Sequence, residues 1–313
     1  MQLTHDMLDR LDMLEQKYAV MGQDMLSYLD GLLYADYLTY WDYIHLDTLL
    51  SLQTPRTPFP DEFIFITYHQ ITELYFKLII QALEQIIEAD PCPAELFIRQ
   101  IKRANRYFNN LVESFDMMVD GMDRDEFLKF RMSLLPASGF QSAQYRKIEI
   151  LSTDMYNLVH ADRRHELPAQ SPIETLYPAL YWKSGATELA TGKKTLTLKQ
   201  FEQKYASEFI TLAQRMQNCN ILKKFNLLSE EVQEQESIRN ELKQYDFNIN
   251  VRWALSHLRS AVRYLDNKPQ VIAATGGTNW QQYLPPRYQR IIFFPDLWSD
   301  EDIENWGKRS KLS

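Results

Sequence analysis

Residues 61–89 read DEFIFITYHQITELYFKLIIQALEQIIEA. In this stretch Ile71, Leu74, Leu78, Ala82 and Ile86 recur at three- and four-residue steps, the period of an α-helix rather than the alternation of a strand. The same period continues on both sides. Residues 3–19 set Leu8, Leu11, Met13 and Leu14 among charges, and residues 94–119 and 123–135 repeat the pattern. Ser171, Pro172 and Glu174 have the order of a capped helix start. Thr197 and Gln200 form a second such pair, opening a helix to about residue 217. Residues 229–265 hold one or two more helices. Only 290–294, RIIFF, reads as extended. Loops fall at 53–60, 90–93, 166–172, 183–196 and 266–287, and none has the composition of a flexible linker. The expectation is an all-α chain, a single helical domain over residues 1–313 with long packed helices.

Composition narrows the function. The chain carries 34 basic and 42 acidic side chains, a net charge of −8. An acidic surface repels phosphate backbones, so no nucleic-acid partner is expected. No apolar run reaches the roughly 18 residues of a membrane span, and no secretory leader is visible at residues 1–18. Two cysteines are too few for a disulfide framework. These features together point to a cytoplasmic protein. Nine glycines with one adjacent pair leave no phosphate-cradling loop. Aromatics at 13% suit either a dense core or a pocket for a flat apolar ligand.

Several residues stand out for their chemistry. On residues 250–265, Val251, Ala254, Leu255, Leu258, Val262 and Leu265 line one side, and Arg252, Arg259 and Arg263 another. His257 sits on a shoulder between them, one turn after Trp253. It is either a core histidine or an axial ligand of heme iron. His69 shares a face with Phe65, Thr72, Phe76 and Ile80. It is either a pocket-lining group or a core histidine bonded to Glu73 or to backbone. Among Phe127, Phe130, Leu134 and Leu135, Arg131 must find an anion, a structural carboxylate or that of a ligand. Thr275, Gly276, Gly277 and Thr278 form a plain turn or a grip on a polar group. Cys92, between two prolines, is a loop cysteine or a thiolate ligand, and no C-x-x-C-H run indicates covalent heme attachment. His160 and His165 frame HADRRH, a solvated helix end.

The order of these pieces resembles the tryptophan 2,3-dioxygenase family. The matching blocks are Tyr40 to Ile44, DEFIFITYHQITELYFK (61–77), FLKFRMSLLPASGFQSAQYRKIE (127–149), Trp253 to His257, TGGT (275–278) with Tyr283 and Leu284, and FFPDLW (293–298). They span about residues 35–300. The resemblance implies an all-α heme enzyme that joins O2 to the indole C2–C3 bond of L-tryptophan, giving N-formyl-L-kynurenine. It implies that His257 is the axial ligand of heme b iron, ferrous in the active form. His69 would be the catalytic histidine, orienting the substrate through its indole N–H. Arg131 would bind the substrate carboxylate and Thr275 its ammonium group, and Phe65 and Phe127 would wall the indole. Tyr40, Tyr43 and Ile44 would reach in from a neighbouring subunit of a homotetramer, with about residues 1–45 making that contact. A heme monooxygenase that hydroxylates an aromatic amino acid, and a helical binding protein without heme, are the rival readings. Three departures stand out: Phe127 where many members have tyrosine, Tyr75 where tryptophan is usual, and a His257-to-Thr275 stretch about four residues longer.

Overall fold

The computed structural model describes residues 4–36, 38–134, 139–186, 193–267, 270–271 and 280–308. These divide into two compact units, Met1–Thr54 and Pro55–Ser313. In the first unit, helix α1 (His5–Val20) packs on helix α2 (Met25–Leu33), where the rings of Tyr18 and Tyr28 stack at 4.3 Å. Asp24 caps α2 by accepting from the amides of Leu26 and Ser27. Neither helix buries a side chain, and Leu26, Leu32, Leu33 and Trp41 are exposed.

The second unit is built on helix α3 (Asp61–Glu88), 28 residues and about 42 Å long at 1.5 Å per residue. Around it stand α4 (Ala94–Ser114), α5 (Arg124–Phe130), α6 (Ala143–Ser152), α7 (Leu196–Met216), α8 (Glu236–Phe247) and α9 (Ala254–Leu265). Helix α3 packs on α4 and α6, α8 on α4, and α7 on α6. The core-facing stripe of α3 is Tyr68, Thr72, Phe76, Ile79, Leu83 and Ile86. Ile71, Leu74 and Leu78, which the period alone selects, are exposed instead. The helix is apolar on two sides, and spacing cannot say which side meets the core.

Local chemistry accounts for other differences. Helix α7 is capped by Thr195, whose hydroxyl accepts from the Leu198 amide at 3.2 Å, and Thr197 is buried in its first turn. The helix expected at Ser171 starts at Ile173 with no side-chain cap. It gives way after Leu176 to a 3-10 turn containing Pro178, because proline cannot donate to the α-ladder. Residues 131–134 are 3-10 rather than α. The loop expected at 266–287 holds a two-stranded antiparallel ladder, β1 (Asp266–Asn267) against β2 (Gln270–Val271), and a turn of helix at Trp280–Tyr283.

The stretch at 290–294 forms no strand. Its amides are held by one buried carboxylate on α8. Asp246 accepts from the amides of Phe293 at 3.0 Å and Phe294 at 3.2 Å, and from the Trp298 indole at 3.0 Å and Asn250 at 2.8 Å. An extended run of large apolar residues is thereby buried without a neighbouring strand to take its hydrogen bonds.

Candidate functional site

Helices α3, α6 and α9 line an open cavity of about 1260 Å³ within the second unit, which residues from 160–163, 181–185 and 280–290 also border. That exceeds the range of about 300–1,000 Å³ usual for small-molecule sites. Phe65, His69, Thr72 and Phe76 line it from α3, and His257, Ala261 and Tyr264 from α9. The i, i+3, i+4 spacing on each helix brings these side chains to one face. Phe115 and Trp253 close the wall behind His257, with ring centroids 4.7 and 4.6 Å from the imidazole.

Both histidines use their inner nitrogen in the same way. His257 Nδ1 lies 3.0 Å from the Trp253 carbonyl oxygen, and His69 Nδ1 lies 2.7 Å from that of Phe65. A carbonyl can only accept, so Nδ1 carries the proton in each ring. Burial lowers the His257 pKa to about 4, with the neighbouring His69 ring and the Arg146 charge adding to it and the Trp253 bond opposing. Burial lowers His69 likewise, against the Phe65 bond and the Glu73 charge. At neutral pH both rings are therefore neutral, and each keeps a lone pair on Nε2. Glu73 does not hold His69; its carboxylate accepts from Gln144 at 2.8 Å.

A buried polar group forms another part of the wall. Arg146 on α6 is 6% exposed and pairs with Glu149 at 3.0 Å and with the Tyr181 hydroxyl at 3.1 Å. Tyr181 in turn donates to Glu149 at 2.5 Å. Burial pushes the Glu149 carboxyl up to about 7, although Arg146 and the Tyr181 bond pull the other way. The guanidinium lies 4.6 Å from the Tyr145 ring centroid, and its Nε is buried with no hydrogen-bond partner. An unpaired donor on a buried cation is costly unless a ligand completes it.

The structure brings Phe65, His69, Phe127 and His257 to this cavity. The rings of Phe65 and Phe127 stand 6.3 Å apart, and Phe65 lies 4.1 Å from His69. Arg131 is buried at the start of the 3-10 turn after α5 and is not among the lining side chains. Burial lowers its pKa. Tyr40 and Tyr43 are exposed and Ile44 half-buried on the first unit. Thr275 and the rest of 275–278 lie outside the described residues. Cys92 is not part of the cavity; its thiol bonds to the Pro93 carbonyl and burial raises its pKa. His160, read from sequence as a solvated end, lines the cavity.

Sequence reasoning did not single out Tyr145, Arg146, Tyr181 or Trp182. The available signal was a full positive charge at Arg146 among residues whose helical neighbours Tyr145, Ile148 and Ile150 are apolar. Of the stripe expected on residues 250–265, Val251 and Leu265 are buried and Ala254, Leu255 and Leu258 half-buried. Val262 is exposed, whereas Trp253 and Tyr264, on the His257 side, are buried. The arginine face is as expected: Arg259 meets Asp116 at 2.9 Å and Arg263 meets Asp120 at 3.9 Å. Among the described residues no cluster of three His, Cys, Asp or Glu side chains could hold a bare metal ion, and no helix is long and apolar enough to cross a membrane.

A family model described as tryptophan 2,3-dioxygenase matches residues 32–171. A tryptophan 2,3-dioxygenase of Bacillus thuringiensis subsp. konkukian is 28% identical over 267 residues, covering 82% of this chain and 89% of that protein. One from Ruegeria pomeroyi is 28% identical over 269 residues with the same coverage. A tryptophan 2,3-dioxygenase 2 of Ralstonia nicotianae is 43% identical over 97 residues, 29% of this chain and 26% of its own.

Proposed function

We propose that this chain, which belongs to the tryptophan 2,3-dioxygenase family, acts through the cavity between α3 and α9. The chain is an oxidoreductase that adds both atoms of O2 across the indole C2–C3 bond of L-tryptophan, giving N-formyl-L-kynurenine. The observation that carries the site reading is the pair of neutral imidazoles on its walls, each with Nδ1 tied to backbone and Nε2 left as a lone pair.

The cofactor in this reading is heme b, and the residues present fit it. The cavity has room for a flat macrocycle beside an aromatic substrate, between apolar walls. His257 would be the axial ligand, because a neutral Nε2 with its ring fixed by the Trp253 carbonyl is the donor heme iron takes. Arg146, with its orphaned Nε, suits a heme propionate. When bound, ferrous heme supplies the O2-activating chemistry that no side chain here possesses.

The side chains do the rest by position. His69 offers Nε2 as an acceptor, the complement of an indole N–H donor. Its depressed pKa keeps the ring neutral and therefore able to accept. Phe65 and Phe127, neighbours on one wall with ring centroids 6.3 Å apart, offer the indole a shared apolar surface. The resemblance assigns the substrate carboxylate to Arg131 and the ammonium group to Thr275; Arg131 is buried behind the cavity lining, so it would have to turn its guanidinium toward the cavity to take that role. Fixing both ends of the amino acid against the oxygen site converts encounter into orientation. We also read the first unit as partner-facing. It exposes Leu26, Leu32, Leu33 and Trp41, apolar side chains that suit a protein partner, and Tyr40, Tyr43 and Ile44 would complete the neighbouring site in a homotetramer. The cytoplasm is the compartment proposed.

The deciding experiment supplies the heme-loaded, reduced protein with L-tryptophan and air and follows N-formylkynurenine absorbance. A hydroxylated tryptophan as sole product would replace cleavage with monooxygenation. A protein that takes up no heme would remove the cofactor and its ligand together.

A further inference from the structure

The helix bearing His257 is not continuous with the one before it. The backbone widens from α8 into a π-helix over Asn248–Trp253 before α9 resumes at Ala254. A π-turn holds one residue more than the α-turn it replaces, so side chains beyond it are rotated by about 100°. The consequence can be counted from Tyr245, fully buried on α8. In an unbroken helix Trp253, His257 and Tyr264 would stand roughly 80°, 120° and 100° away from its direction. With one residue absorbed by the turn, all three fall within about 20° of it. Trp253 and Tyr264 are indeed buried, and His257 faces the cavity.

The turn is gripped from outside. The Tyr145 hydroxyl on α6 donates to the Ile249 carbonyl at 3.1 Å. Asn248 donates to Asn105 at 3.2 Å and accepts from Gln244 and Arg252, each at 2.8 Å. A carbonyl displaced from the α-ladder inside a core needs a donor from another element. Tyr145 meets that need, and its ring is held by Phe76 at 5.5 Å.

We propose that Tyr145 is a positioning residue, whose bond to Ile249 holds the π-turn that aims His257 into the cavity. The effect on the iron rests on the reading of His257 as its ligand; the latch on the turn does not.

Tyr145→Phe keeps the ring and removes only the donor. Hydrogen exchange on the full-length apoprotein should speed up roughly five- to tenfold at the amides of residues 249–257, the loss of one net hydrogen bond, and stay unchanged in α4 and α7. In the heme-loaded protein the ferrous iron–histidine stretching band should shift and heme retention should fall. Unchanged exchange at 249–257 overturns the latch. Faster exchange with an unshifted band overturns the aiming role. If His257→Ala leaves the heme spectrum unaltered, the ligand assignment has failed, and the exchange measurement still decides the latch. Should Tyr145→Phe not accumulate as folded protein, Asn248→Ala loosens the same turn from its other side and takes the same two readouts.

Discussion

His69 and His257 face one cavity from two helices, and each is bonded through Nδ1 to the carbonyl four residues before it, Phe65 and Trp253 respectively. The helix itself supplies the acceptor, so no carboxylate is needed to fix either tautomer. What separates their roles is the neighbourhood. His257 is enclosed by Phe115 and Trp253, whereas His69 stands open to the cavity beside Phe65.

Removing the two rings should therefore have different effects. His257→Ala should abolish the strong Soret band of protein purified with heme. His69→Ala should keep that band and lower kcat/KM for L-tryptophan by about 10- to 100-fold, the cost of a misplaced substrate. Absorbance spectra and product assays on both variants check this. Loss of heme from the His69 variant alone would reverse the assignments.

Arg131→Ala should weaken L-tryptophan binding by about 10- to 100-fold, the worth of one charge-assisted hydrogen bond. Heme content should change far less. Equal loss of both would make Arg131 a structural cation.

Arg146 should show the opposite pattern. Arg146→Gln should raise the amount of hemin needed to saturate the protein, and Arg146→Lys should recover part of the loss, because it restores the charge but not the planar fork. A hemin titration that is the same for all three proteins would exclude the guanidinium from cofactor binding.

Asp246 gives a pH dependence of defined sign. Burial lifts its carboxyl from 3.8 to about 6, against its bonds to Phe293, Asn250, Trp298 and Phe294. Between those pH values the folded chain retains a proton that the unfolded chain has released. Its contribution to stability therefore falls as pH rises from about 4 to about 6, by on the order of 3 kcal/mol, and is level above that. Asp246→Asn removes the titration. The wild-type-minus-variant stability from urea unfolding should decline across this window; a difference that rises with pH would contradict it.

Thr195→Ala should cost about 1 kcal/mol through the lost cap of α7. Urea denaturation of the apoprotein measures it, and an unchanged midpoint would mean the Thr195 hydroxyl does not serve the helix.

Much of this was legible in the residues themselves. The length of α3 follows from its period, and the arginine face of α9 from its charges. The all-α class follows from the scarcity of alternation. Three things were hidden for physical reasons. The core side of α3 was ambiguous because both of its faces are apolar, so Ile71 and Leu78 looked like core. The direction of His257 was hidden because periodicity assumes 100° per residue and the π-turn adds a residue that no composition signals. Arg146 was overlooked because a buried cation is defined by partners distant in sequence, here Tyr181. His69 and Phe127 were placed by resemblance to a family, and the geometry then gave the physical reason for the tautomer of His69.

The clamp at Asp246 also bears on how the protein is made. The groups that satisfy this carboxylate on the C-terminal segment lie 47 to 52 residues further along the chain. At about 5–20 residues per second, a ribosome delivers them roughly 2–10 s after Asp246 itself. Later in that interval the residues of the helix that presents His257 have been made, while Asp246, two residues before the π-turn, still lacks its C-terminal partners. Fastening of the C-terminal segment to α8 is therefore among the last events of synthesis, and a chain released short of Phe293 would leave Asp246 without those partners.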